Sequence, residues 1–171
     1  LPQPSCISFA LAFSNSHDTS YEPPSALCMA IASAAKESSI DLKDIQDILG
    51  RSLTDDDVRW VLIAIDANNK IKSLKLTNCL NVIGSGLEPL RGSIVLERID
   101  LSLVGDHENP DINPEPLISV SVVVPILHSI IAKEGNELVH VQLPKKWRVE
   151  RDIELGRFLA VFDMALRERS F

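Results

Sequence analysis

Four histidines, three cysteines, a Gly-Ser-Gly fragment and a run of three aspartates are the residues of this 171-residue chain whose types could do chemistry. His17 and His107 sit in polar stretches, His128 falls on a helical pattern and His140 on a strand pattern. None has another His, Cys or acid at metal-ligand spacing. Cys6, Cys28 and Cys79 are an odd, widely spaced set with no C-x-x-C pair, so neither a zinc site nor a disulfide framework is expected. Free thiols fit an intracellular setting, cytoplasmic or nuclear. Cys79 could be a nucleophile, but its place just after a strand predicts a buried, inert thiol. Gly84-Ser85-Gly86 lacks the following Lys-Ser/Thr of a phosphate loop and the third glycine of a dinucleotide fingerprint. Asp55-Asp56-Asp57 lacks the alternating oxygen ligands and central glycine of a calcium loop. It reads instead as a helix start: Thr54 is an N-cap, Asp57 stands where a capping box wants an acid, and all three acids meet the positive end of the helix dipole. Lys145-Lys146-Trp147-Arg148 could touch an acid or a nucleic-acid strand; after a strand it reads as a surface ridge with Trp147 folded onto the next helix. No nucleophile, acid–base pair or metal set converges, so the expectation is no enzyme, no cofactor and no metal.

The elements that position these residues follow from composition and periodicity. The apolar content of 45% is ample for a core, and the 5% aromatic content means that Leu, Ile and Val build it. A net charge of −7 argues against general affinity for nucleic acid or anionic membranes. No apolar run reaches the ~18 residues of a membrane helix. The chain begins at Leu1, as expected of a fragment or excised domain.

Ile71, Leu74 and Leu76 make an L-x-x-L-x-L pattern, which recurs 25 residues later at Leu96, Ile99 and Leu101. Leu138, Val141 and Leu143 repeat it after 42 residues, or about 25 once a roughly 17-residue proline-rich insert (104–118) is set aside. Strands are therefore expected over 71–76, 96–101 and 138–143, with a shorter one at 39–42. Cys79 and Ile83 should point inward, and Leu87 and Leu90 should begin a return helix. Val58, Val61, Leu62 and Ile65 give a helical stripe that Asn68-Asn69 should end. Val120–Lys133 is a strongly apolar helix with Pro125 near its first turn. Ile153, Leu155, Phe158, Leu159, Phe162 and Leu166 form one face of a C-terminal capping helix (151–171), whose outer face should be polar. At the other end, residues 1–13 read as a short apolar helix, 14–25 as a polar loop and 25–36 as an alanine-rich helix.

Leu74-Lys75-Leu76-Thr77-Asn78-Cys79, with Ile83 and Gly86-Leu87-Glu88-Pro89-Leu90, resembles the cysteine-containing subtype of leucine-rich repeat common in F-box proteins. Leu1-Pro2 and the apolar stretch after it resemble the start of an F-box, the motif that docks on a Skp-type adaptor of a cullin ubiquitin ligase. The whole chain is similar to F-box/leucine-rich-repeat proteins of diatoms and related algae. The resemblance implies an α/β leucine-rich-repeat solenoid: a short curved parallel sheet of about three or four strands backed by helices over 39–150, behind a small N-terminal helical segment (1–38). It implies a non-catalytic module that holds a substrate protein for ubiquitin ligation. The alternative is a leucine-rich-repeat scaffold unrelated to ubiquitin. Either way the partners are proteins, not nucleic acid or membrane.

Strand side chains alternate, so residues between the leucines should line the concave face in columns. One column is Ser73, Arg98 and His140. The next is Asp41, Lys75, Asp100 and Gln142. A third is Thr77, Ser102 and Pro144. Two readings of these columns stay open: opposite charges neutralising one another on a solvated sheet, or a patch that recognises a peptide.

Overall fold

The computed structural model describes residues 25–102 and 116–170. The expectations for residues 1–24 and for most of the proline-rich insert lie outside the described residues.

β1 (Ser39–Asp41), β2 (Ser73–Lys75), β3 (Arg98–Asp100) and β4 (His140–Gln142) form a four-stranded parallel sheet in chain order. The strands are shorter than the leucine pattern suggests, three residues each. The ladder nevertheless runs past them, through Glu97 N–H to Lys72 O, Leu76 N–H to Asp100 O and Leu101 N–H to Gln142 O. Parallel neighbours need crossover connections, and these are helical. α1 (Ser25–Glu37) precedes the sheet; α2 (Leu42–Leu49), α3 (Asp55–Ala64) and α4 (Ala67–Lys70) link β1 to β2. A 3-10 turn (Ser85–Leu90) links β2 to β3, and α5 (Val120–Ile131) links β3 to β4. α6 (Lys145–Val149) and α7 (Ile153–Arg169) follow β4. α3 packs on the 3-10 turn, that turn on α5, and α5 on α7, so the backing layer runs parallel to the strand order.

The core is the expected leucine wall. Ile71, Leu96 and Leu138 form its first layer, Leu74, Ile99 and Val141 its second, and Leu76, Leu101 and Leu143 its third; all are buried except the partly buried Val141. Each fully buried Leu or Ile contributes about 1.5–3 kcal/mol of transfer free energy. Leu87 and Leu90 close the wall from the 3-10 turn, and Val58, Val61 and Leu62 from α3, with Ile65 at its C-cap.

The capping box of α3 forms in full: Thr54 Oγ1 accepts from Asp57 N–H, and the Asp57 carboxylate accepts from Thr54 N–H at 2.9 Å. Asn68 and Asn69 do not end this helix. Asp66, in the left-handed region at φ 53°, breaks it after Ala64 and starts α4, which contains both asparagines. α2 is an element the hydrophobic pattern leaves unassigned. Asp41 caps it by accepting from Lys43 N–H at 3.0 Å, and Gly50 at φ 65° closes it. Pro125 is the sixth residue of α5, beyond the first turn; the N–H it lacks would have faced Ser121, and both residues lie on the exposed side, so the helix continues.

Two apolar assignments are corrected. Ile83 is 45% exposed, and its neighbour Val82 fills the core. Cys79 stays inward as expected; a turn after it, closed by Val82 N–H to Cys79 O at 3.3 Å, brings Val82 inward, while Ile83 N–H is held by Asp55. On α7 the buried stripe is Leu155, Phe158, Phe162 and the partly buried Leu166. Ile153 (72% exposed) is carried to the opposite side at 100° per residue, whereas Leu159 (40%) sits at the edge of the stripe and stays partly in solvent. With Val161 and Met164 they leave the outer side of α7 mixed rather than polar.

Candidate functional site

Strand register sets the geometry of the outward face. Ser39, Ser73, Arg98 and His140 are successive partners across the sheet, and so are Asp41, Lys75, Asp100 and Gln142. Two of the expected columns thus coincide with the register, and Ser39 extends the first. Its position in the β1 stretch was the available signal. The residues between, Ile40, Leu74, Ile99 and Val141, point into the core. Adjacent parallel strands lie ~4.8 Å apart, so each column is a closely spaced row.

The charged side chains in the middle row form no ion pair with one another. Lys75 is flanked in register by Asp41 and Asp100, yet it makes no ion pair among the described residues. The two carboxylates are held locally. Asp41 accepts from Lys43 N–H and from Thr77 Oγ1, the latter at 2.9 Å. Asp100 accepts from Ser102 N–H at 2.8 Å and Ser102 Oγ at 2.6 Å. These hydrogen bonds take up Thr77 and Ser102, which the sequence places on the partner surface, and Pro144 at the end of that third column is buried. Thr77 and Ser102 remain half-buried beside the two rows. Arg98, His140 and Lys75 are exposed on the outward face, Ser73, Asp41, Asp100 and Gln142 half-buried.

One row nearer the strand starts, Lys72 Nζ and Glu97 Oε1 pair at 2.8 Å. The hydrogen bond and attraction from Glu97 raise the Lys72 pKa; those from Lys72 lower that of Glu97. Sequence spacing did not single out this pair, although Lys72 and Glu97 are 25 residues apart, the period of the leucine pattern.

The residues that suggested chemistry are structural. Burial, then the nearby Asp41 carboxylate, push the Cys79 thiol up to about 12, so it stays protonated; its Sγ donates to Thr77 O at 3.7 Å. Asp55, first of the aspartate run, accepts from the backbone N–H groups of Ile83, Gly84 and Gly86 at 2.8, 2.9 and 2.8 Å. The acidic run and the Gly-Ser-Gly fragment are partners of each other, not of a ligand. A Cβ on Gly86 would stand 2.5 Å from Asp55 O, so only glycine admits this approach. The buried Gln46 accepts from Leu53 N–H and donates to Thr77 O and Asn78 O, stitching α2 to the turn after β2. His128 packs edge-on to Phe158 at 5.4 Å, and Trp147 is buried while Lys145, Lys146 and Arg148 remain exposed. An open groove of about 470 Å³ runs beside α2, lined by Asp47, Arg51 and Asn78 among others. Its charged residues are already paired, Asp47 with Lys43 and Arg51 with Asp57. Among the described residues no three His, Cys, Asp or Glu converge, and no helix is long and apolar enough to cross a membrane.

Comparison of the chain with protein-family models, with curated proteins and with solved structures returns no match.

Proposed function

We propose that this chain is a leucine-rich-repeat protein-interaction module that recognises a partner on the outward face of its sheet. The observation that carries the reading is the register: it stacks Ser73, Arg98 and His140 beside Lys75, Asp100 and Gln142, with the exposed Lys75 and Arg98 in no ion pair among the described residues. A face with unmet hydrogen-bonding capacity on a rigid sheet suits recognition by positioning, with no covalent step. Support for the repeat assignment comes from the three leucine layers and from the buried Cys79 after β2.

Its cellular role, on this proposal, is substrate recognition in an F-box-type ubiquitin-ligase adaptor, inside the cell. Support is the resemblance of the repeat to those of F-box proteins. A pull-down of the full chain with a Skp-type adaptor tests it, beside an F-box protein as positive control. Retention of the chain is expected; its absence while the control binds removes the ubiquitin link. The second reading, a scaffold without that link, is favoured by Lys36 and Glu37. They are exposed at the end of α1, near where an F-box carries a tryptophan.

A further inference from the structure

Five of the twelve exposed large apolar side chains among the described residues lie on α7 or just before it: Val149, Ile153, Leu159, Val161 and Met164. Exposed apolar residues scattered singly need no explanation, but a concentration of them marks an interaction site. At 100° per residue Arg157, Val161, Met164 and Glu168 share one strip along α7, about 120° around from the buried Leu155, Phe158 and Phe162. Their spacing of four, three and four residues is that of a coiled-coil seam. Val161 (46% exposed) and Met164 (61%) form its apolar middle, and the exposed Arg157 and Glu168 its oppositely charged ends. Glu168 is in no ion pair among the described residues. Arg157 pairs with Glu154 at 2.7 Å, but both are well exposed and such a contact holds the guanidinium only weakly. Ala160 and Ala165 flank the strip, and their small side chains let a second helix come close.

We propose that this strip is the contact between two copies of the chain, with α7 packed antiparallel to α7 of the second copy. The sequence of the strip is complementary to itself in that direction. A two-fold axis passing between residues 162 and 163 sets Val161 against Met164 of the second copy and Arg157 against Glu168 of the second copy. Each contact then occurs twice, as an isologous interface requires. A parallel pair would instead set Arg157 against Arg157 and Glu168 against Glu168, so the charges select the antiparallel arrangement. The inference goes beyond the reading of the outward columns and does not depend on it, because α7 packs on α5 in the backing layer. With one helix per copy at its centre the contact is small, so the dimer is expected to depend on concentration.

Sedimentation velocity of the 171-residue chain from about 5 to 500 µM tests this. The parent is expected to pass from monomer toward dimer across that range. Arg157→Glu alone and Glu168→Arg alone each bring like charges together twice, and each is expected to weaken the dimer roughly tenfold. An equimolar mixture of the two variants is expected to recover the parent affinity, since every charge on one then meets its opposite on the other. That recovery is a readout that misfolding of either variant cannot produce. A parent chain that stays monomeric throughout would overturn the proposal. So would a dimer indifferent to both reversals, or one that weakens with each and does not recover on mixing.

Discussion

On the inward side of the sheet, Ile40, Leu74 and Ile99 are buried in the apolar core. One residue along, Asp41, Lys75 and Asp100 face outward in the same register. The difference lies in what each side chain already does. The inward residues are committed to packing. The outward acids are tied to hydroxyls and N–H groups beside them, and Lys75 and Arg98 make no ion pair among the described residues. A third group, at the joint between α3 and the turn after β2, shows that polarity alone does not mark a surface available to partners. Asp55, Gln46 and Asp57 are as polar as Lys75, and their bonds are all made within the fold.

The largest effect that could break this contrast is Leu74→Ala. It should lower unfolding free energy by about 2–5 kcal/mol, read from the urea midpoint. Lys75→Ala, its neighbour in the chain, should stay within about 0.5 kcal/mol. Similar losses for the two would dissolve the distinction between faces. Asp55→Ala should cost about 1–3 kcal/mol by leaving three backbone donors without their acceptor. Gly86→Ala should also destabilise, since its Cβ would crowd Asp55 O and Val58 Cβ. A cost for Asp55→Ala no larger than that for Lys75→Ala would return the aspartate run to a plain solvated helix start.

Asp57 sharpens the same contrast by pH. Burial alone would raise its carboxyl, but the Arg51 guanidinium and the Thr54 N–H and hydroxyl outweigh that and hold it below its ordinary value of 3.8. Folding therefore draws stability from the ionised form. That contribution is complete above 3.8 and is lost as pH falls through the lower folded value. Urea titrations in acid should show the loss in the parent chain and a smaller slope in Asp57→Asn. Identical slopes would mean the Arg51–Asp57 pair contributes nothing. The smallest effect concerns Cys79: its buried thiol, raised to about 12, should react with a thiol reagent only as fast as the protein unfolds. Rapid labelling in the native state would contradict its place in the wall.

The leucine layers, the capping box and the two outward columns were legible because each depends on local spacing: a 25-residue period, a three-residue cap, a two-residue alternation. What was not legible depends on contacts between distant residues or on single backbone angles. Ile83 lost its inward place to Val82 through the turn after Cys79 and the distant Asp55 that holds its N–H. The Asp55 interaction spans 28 to 31 residues, and an aspartate run announces only the local cap, not acceptors for so distant a backbone. α2 is short, and its cap residue Asp41 doubles as a strand residue. Thr77 and Ser102 carry the right polarity for a partner surface, but their hydroxyls turn to Asp41 and Asp100, a choice set by side-chain reach rather than register.

The central claim, that the outward columns are the binding surface, is tested most directly by the affinity of a purified partner for Arg98→Ala combined with His140→Ala. Lys70→Ala combined with Lys133→Ala serves as the reference, and thermal unfolding is followed for both. The account predicts a loss of about tenfold in affinity for the first pair alone, with both melting near the parent. Unchanged affinity in a fully folded Arg98→Ala, His140→Ala variant would contradict it.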